Sequence, residues 1–269
     1  MLAILALLAA AAVEPIVSTD WLQTHLKDPQ VRVIFVGSRD AYTRAHIPGA
    51  RLIEHMDTVE MGANGHRLAS KDALVRVFTK AGVADGVRVV LYGDSPMATG
   101  WVNTALTSIG HGDSVSWLDG GIGLWQSEKR PVETATPAPG TGPLTAGPAP
   151  DFIVDAAWVR GRLNSSTTKI LDVRTQREYR DGHLPTATLI LWQDLFADQK
   201  TQKFKSPDEI RALLTRAGVG VNQDAVTYCA VGMRASLMAW AARAVGVPTR
   251  VYLGSWQDWS SSSANPVVK

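Results

Sequence analysis

The residue types that could do chemistry converge on one stretch, Thr227-Tyr228-Cys229-Ala230-Val231-Gly232-Met233-Arg234-Ala235-Ser236, which holds the chain's single cysteine. Ala225 to Tyr228 is a short apolar run of the kind that forms a buried strand. Arg234 to Val245, followed by Gly246, reads as a helix with its terminating glycine. Cys229 therefore falls on a loop between a strand's carboxyl end and a helix N-terminus, where ligands gather in open α/β sheets. The N–H groups from Ala230 to Arg234, the helix dipole and the Arg234 side chain all favour negative charge at that sulfur. A thiolate held this way is a nucleophile, and the same N–H groups would hold a second sulfur bound to it. Gly232 permits the tight curvature that such a loop needs. The spacing also fits an inert reading, since a lone cysteine at a strand end packs well as a small apolar residue.

A loop of this kind needs a sheet behind it and helices on either side. Lys169 to Val173 supplies a second buried strand. Ser206-Pro207-Asp208-Glu209 opens a helix with a side-chain cap, a proline in its first turn and two acids, and Ala217-Gly218 closes it. Strand and helix alternate throughout, which predicts an α/β fold with a parallel sheet flanked by helices. The pattern occurs twice. Val36, Tyr42, His46, Pro48 and Ala50 find identical residues 137 positions later, at Val173, Tyr179, His183, Pro185 and Ala187. Ala81-Gly82-Val83 and Tyr92 recur 136 later, Gly120 and Trp125 recur 134 later, and Pro131-Val132 recurs 135 later. An ordered series with slowly drifting offsets is a tandem duplication of one domain. The copies span 14–133 and 151–269, joined by the Pro-, Gly- and Thr-rich segment 134–150, which reads as an exposed linker.

Composition excludes several classes. The hydrophobic fraction of 45% suits two ordinary globular cores. Net charge is +2, unevenly spread: residues 14–133 carry 12 Lys and Arg against 14 Asp and Glu, and residues 151–269 carry 15 against 11. A mildly positive second half suits a small anionic substrate, and it lacks the dense basic stripe of a nucleic-acid binder. One cysteine rules out an internal disulfide framework, and the six histidines have neither H-x-x-H nor H-E-x-x-H spacing, so no metal or cofactor is implied. Trp240, Trp256 and Trp259, three of nine tryptophans, read as core or cleft packing. Residues 1–13 are almost wholly apolar, too short to span a bilayer, and end in a small-residue run, Ala10-Ala11-Ala12, like a signal-peptide cleavage site. Cleavage there implies export to the periplasm; without it the protein is cytoplasmic.

The motifs, taken together, resemble those of the rhodanese family. Tyr228-Cys229-Ala230-Val231-Gly232-Met233-Arg234 resembles its C-x-x-G-x-R loop. Gly182-His183-Leu184-Pro185-Thr186-Ala187 is similar to its G-H-I-P-G-A element, with Thr186 in place of the usual glycine. Asp172-Val173-Arg174 with Glu178-Tyr179 resembles its D-V-R…E-Y segment, and Gly254-Ser255-Trp256 with Trp259 and Pro266-Val267 its closing G-S-W…W…P-V. The first half carries His46-Ile47-Pro48-Gly49-Ala50 and Asp119-Gly120-Gly121 in matching order. Where the second half has Cys229, however, the first has Gly93.

The resemblance implies a tandem sulfurtransferase in which only the second domain reacts and the first walls the cleft. Cys229 would take the outer sulfur of a small anionic donor, thiosulfate above mercaptopyruvate, and pass it from a persulfide to cyanide, a thiol or an acceptor protein. Arg234 is placed to bind the donor or to form a salt bridge, while Asp172, Arg174 and Glu178 would brace the loop. Two other classes remain open. A noncatalytic persulfide carrier would use the same cysteine. A cysteine phosphatase of the related fold would need five residues between cysteine and arginine, and this loop has four.

Overall fold

The computed structural model describes residues 13–63 and 65–269; the expected leader, but for Val13, lies outside them. The first half runs β1 (Ile16–Val17), α1 (Thr19–His25), β2 (Val31–Val36), α2 (Arg39–Arg44), β3 (Arg51–Ile53), a hairpin of β4 (Val59–Gly62) and β5 (Gly65–Leu68), α3 (Lys71–Lys80), β6 (Arg88–Gly93), α4 (Pro96–Ser108), β7 (Val115–Leu118) and α5 (Gly121–Ser127). The second repeats it: β8 (Ile153–Val154), α6 (Ala156–Arg160), β9 (Thr168–Asp172), α7 (Gln176–Asp181), β10 (Thr188–Leu189), a hairpin of β11 (Phe196–Asp198) and β12 (Lys203–Phe204), α8 (Pro207–Arg216), β13 (Asp224–Tyr228), α9 (Met233–Ala244), β14 (Thr249–Tyr252) and α10 (Ser255–Ser260). Each half forms a five-stranded parallel sheet in the same order, β1-β7-β6-β2-β3 and β8-β14-β13-β9-β10.

Alternation along the strands explains the two-sided packing. In the second half Leu171 joins α8 and α9 in one core, while Ile170, Val226 and Tyr228 pack with α6 and α10 in another. The helix ends follow the local chemistry. Ser206 and Glu209 exchange hydrogen bonds in a capping box that opens α8, and Gly218, at φ 87°, ends it in the left-handed region. The closing segment of each half pairs with its histidine motif: His46 N–H bonds Glu133, and His183 N–H bonds Val268, each at 2.9 Å.

The halves meet along α4 and α9. Gly100 of α4 lets the helices approach closely, since a Cβ there would lie 2.7 Å from the Leu237 nitrogen. Each half also sends its hairpin across. Gly65 of the first lies against Gln257 of α10, and Phe204 of the second donates its N–H to Asp119 at 2.8 Å and packs edge-on to Trp117. Segment 134–150 has no helix or strand, but it is less exposed than its composition suggests. Leu144 is buried in the first core, and Gly140 and Gly147 donate N–H bonds to Lys80 and Ile109. No helix among the described residues is long and apolar enough to cross a membrane.

Candidate active site

Strand β13 ends at Tyr228 and delivers Cys229 to the floor of a loop, 1% exposed, with Ala230, Val231, Met233 and Arg234 half-buried around it. Gly232 caps α9 at φ 92°, and its N–H donates to the Cys229 Sγ at 3.2 Å. Only glycine suits this position, because a Cβ would stand 2.6 Å from the Leu253 carbonyl oxygen and 3.1 Å from the Trp101 ring. Two of the loop's carbonyls are taken up by α10. Trp256 and Gln257, in the first turn of α10, donate their N–H groups to Cys229 and Ala230 carbonyls at 2.9 and 3.0 Å. These bonds satisfy two donors left free at the α10 N-terminus and fix the first two residues of the loop. Gly232 has no side chain with which to cap α9, so the N-cap offers no side-chain acceptor that would compete with an anion for the first-turn N–H groups.

Arg234 projects from the first turn of α9 and grips Glu178 through both guanidinium ends, at 2.8 and 2.6 Å. Glu178 also accepts from the N–H and hydroxyl of Thr175, closing the capping box of α7. The Arg234 bonds, and the Thr175 donors against the opposing effect of burial, hold the Glu178 carboxyl down at about 2. Burial works against the charge of Arg234, but Glu178 and the nearby Cys229 sulfur together raise its affinity for the proton. Arg234 thus forms the salt bridge and still acts electrostatically on the sulfur.

Asp172 and Arg174 stand on the other side of the strand end. Both are buried, and their charges meet through paired bonds of 2.6 to 3.0 Å. The Tyr228 hydroxyl donates to Asp172 at 2.5 Å, Arg174 donates to the Gly182 carbonyl at 2.7 Å, and the guanidinium lies 4.6 Å from the Trp256 ring centre. Burying two charges is strongly unfavourable unless their hydrogen bonds are filled, as they are here. None of these bonds reaches Cys229, so the pair ties β9, β13 and the histidine motif into one rigid base.

Sequence reasoning missed two contributors. Ser255 accepts the Cys229 N–H at 3.0 Å, although its motif was visible in Gly254-Ser255-Trp256. Trp101, from α4 of the other half, covers Gly232, and no local pattern marks it. Of the three tryptophans read as packing, Trp240 and Trp259 are buried, and Trp256 stacks on Arg174.

The arrangement seats the chain's single cysteine, buried, between a parallel sheet and a helix N-terminus without a side-chain cap, in one copy of a duplicated α/β domain. The sequence pattern of the Rhodanese-like domain matches residues 18–128 and again 155–262, and the chain belongs to the rhodanese family. It is 30% identical over 286 residues to the sulfur carrier protein TtuD of Thermus thermophilus, covering 95% of this chain and 97% of that protein. It is 28% identical over 261 residues to the thiosulfate sulfurtransferase of Azotobacter vinelandii, covering 91% and 94%. The fold matches the crystal structure of SseA from Escherichia coli, described as a 3-mercaptopyruvate sulfotransferase, with a TM-score of 0.81 at 22% identity over 91% of this chain and 99% of that one.

Proposed function

We propose that this protein is a sulfurtransferase that carries sulfane sulfur on Cys229, with thiosulfate as donor. The Cys229 thiolate attacks the outer sulfur of thiosulfate; the S–S bond of the donor breaks, and sulfite leaves with its electron pair. The new persulfide carries a negative outer sulfur, which the Gly232 N–H and the free first-turn N–H groups of α9 stabilise. An acceptor thiolate or cyanide then attacks that sulfur, forming a persulfide or thiocyanate and returning the Cys229 thiolate. The observation that carries this reading is the Sγ seated on the Gly232 N–H at the open end of α9. Arg234, fixed by Glu178, draws the anionic donor in and leaves the proton chemistry to the acceptor.

A second reading, a carrier that hands its sulfur to one acceptor protein, is favoured by the likeness to a protein named as a sulfur carrier. The tetrahedral phosphate of a phosphatase substrate has less to recommend it, because the loop offers four residues between Cys229 and Arg234. Thiosulfate:cyanide transfer by wild type and Cys229→Ala, with intact masses after thiosulfate alone, tests the proposal. Turnover and a one-sulfur mass gain are expected in wild type and neither in the variant. A mass gain without turnover selects the carrier, and no gain removes thiosulfate as donor. Export is proposed from the apolar leader, and an unprocessed Met1 on protein recovered from its native cells would refute it.

A further inference from the structure

Ser255 is fully buried, yet its backbone lies at φ 54°, in the left-handed region that disfavours any side chain with a Cβ. Its hydroxyl accepts the Cys229 N–H at 3.0 Å and donates to the Tyr252 carbonyl at 2.8 Å. The fold itself explains the backbone angle but not the residue. In the first half the matching position is Gly121, at φ 48°, also the first residue of its helix. A Cβ at Gly121 would meet nothing nearer than the Gly93 carbonyl oxygen, 4.0 Å away. Space therefore does not select glycine there, and conformation does. The two positions face each other in both halves, Gly93 beside Gly121 and Cys229 beside Ser255. Where one partner is a nucleophile, the other is a strained serine; where one is glycine, so is the other.

We propose that Ser255 is a positioning residue for Cys229, kept in an unfavourable backbone conformation because its hydroxyl fixes the cysteine main chain. This proposal rests on the reading of Cys229 as the sulfur-carrying nucleophile. Cys229 is held at two points: its carbonyl by the Trp256 N–H and its N–H by the Ser255 hydroxyl. With both ends fixed, its Cα–Cβ bond points one way and Sγ falls on the Gly232 N–H. Without the hydroxyl, the Cys229 N–H is a buried donor with no acceptor, and the residue turns to find one. Strain of this kind, concentrated beside a reacting atom, persists only where surrounding structure enforces it.

Two substitutions in the full chain separate the hydroxyl from the strain. Ser255→Ala removes the hydroxyl and keeps a Cβ at φ 54°. Ser255→Gly removes both. The measurements are melting temperature, the rate of Cys229 alkylation by iodoacetamide at fixed pH, and kcat and KM with thiosulfate. The glycine variant is expected to be the more stable of the two, while both lose about tenfold in alkylation rate and in kcat, with KM within about twofold of wild type. Wild-type alkylation in Ser255→Gly overturns the proposal, as does a rate loss that follows stability across the pair. If wild type takes up no sulfur from thiosulfate while the alkylation rates fall as expected, the donor reading fails and the positioning role stands.

Discussion

The two strand ends at Tyr92 and Tyr228 share a frame and differ in what is attached to it. Each tyrosine hydroxyl accepts an N–H from the histidine motif, Ile47 in the first half and Leu184 in the second. In the second half that hydroxyl also donates to Asp172, paired with Arg174. In the first half the matching residues are Phe35 and Gly37, and Phe35 packs edge-on to Tyr92 at 5.3 Å. The helix N-termini differ in the same sense. Ser95 caps α4 through its side chain, which accepts from the Ala98 N–H, so the first half fills its own anion site. In the second half the N-cap position of α9 is held by Gly232, which has no side chain to do the same. The two strand ends therefore differ in a handful of polar residues, while the sheet and helices serve both halves alike.

Substitutions that push the second half toward the first measure each difference. The largest effect is expected from Gly232→Ser, which transplants the Ser95 cap. The new side chain meets the Leu253 carbonyl at 2.6 Å from its Cβ and forces φ 92° on a serine. A loss of about 3 kcal/mol in denaturant unfolding is expected, together with loss of sulfur uptake by mass spectrometry. Stable protein that still takes up sulfur would show that an open N-terminus is not what distinguishes the halves.

Glu178→Ala, which installs the residue found at Ala41, frees Arg234 and breaks the α7 capping box. A loss of about 1–2 kcal/mol at neutral pH is expected, with a several-fold rise in KM for thiosulfate. The folded Glu178 value of about 2 lies below that of an unfolded glutamate. Its contribution is therefore complete above the unfolded value and lost as pH falls toward about 2. Melting curves of wild type and variant should converge over that acid range; a constant gap would assign the loss to the cap alone.

Thr186→Gly matches the first half's Gly49 and carries the smallest effect. Thr186 lies at φ 64°, strained for a β-branched residue, but its hydroxyl bonds the Leu163 carbonyl at 2.7 Å. Relief of strain and loss of that bond offset each other, and thermal unfolding should change by less than about 1 kcal/mol. A larger loss would mean that the Leu163 contact braces the histidine motif.

The parts legible in the sequence were those written in neighbouring residues. Period and capping chemistry mark β13, the start of α8 and the loop at Cys229, because each depends on side chains within a few positions of one another. Arg234 and Glu178 were both visible as polar residues near strand ends, but their ion pair joins two helices 56 residues apart. Ser255 stood in a visible motif, and nothing local reveals that it faces Cys229, 26 residues away. Trp101 belongs to a different domain from the loop it covers. The burial of Leu144 was hidden by its surroundings, since a Pro- and Gly-rich segment with one bulky apolar residue reads as solvent-exposed unless its neighbours are known.

The crossing hairpins obey the rule of a symmetric assembly. Gly65 lies against Gln257, and Thr201 lies against Gly123. By the offsets of the repeat, Thr201 is the counterpart of Gly65, and Gln257 that of Gly123, so each half touches the other with the same surface. That is the isologous contact of a two-fold dimer, here made within a single polypeptide. In a true dimer of identical subunits a change to one copy is a change to both. Joining the copies in one chain removes that coupling, so one surface can specialise in catalysis while its twin keeps only the matching shape.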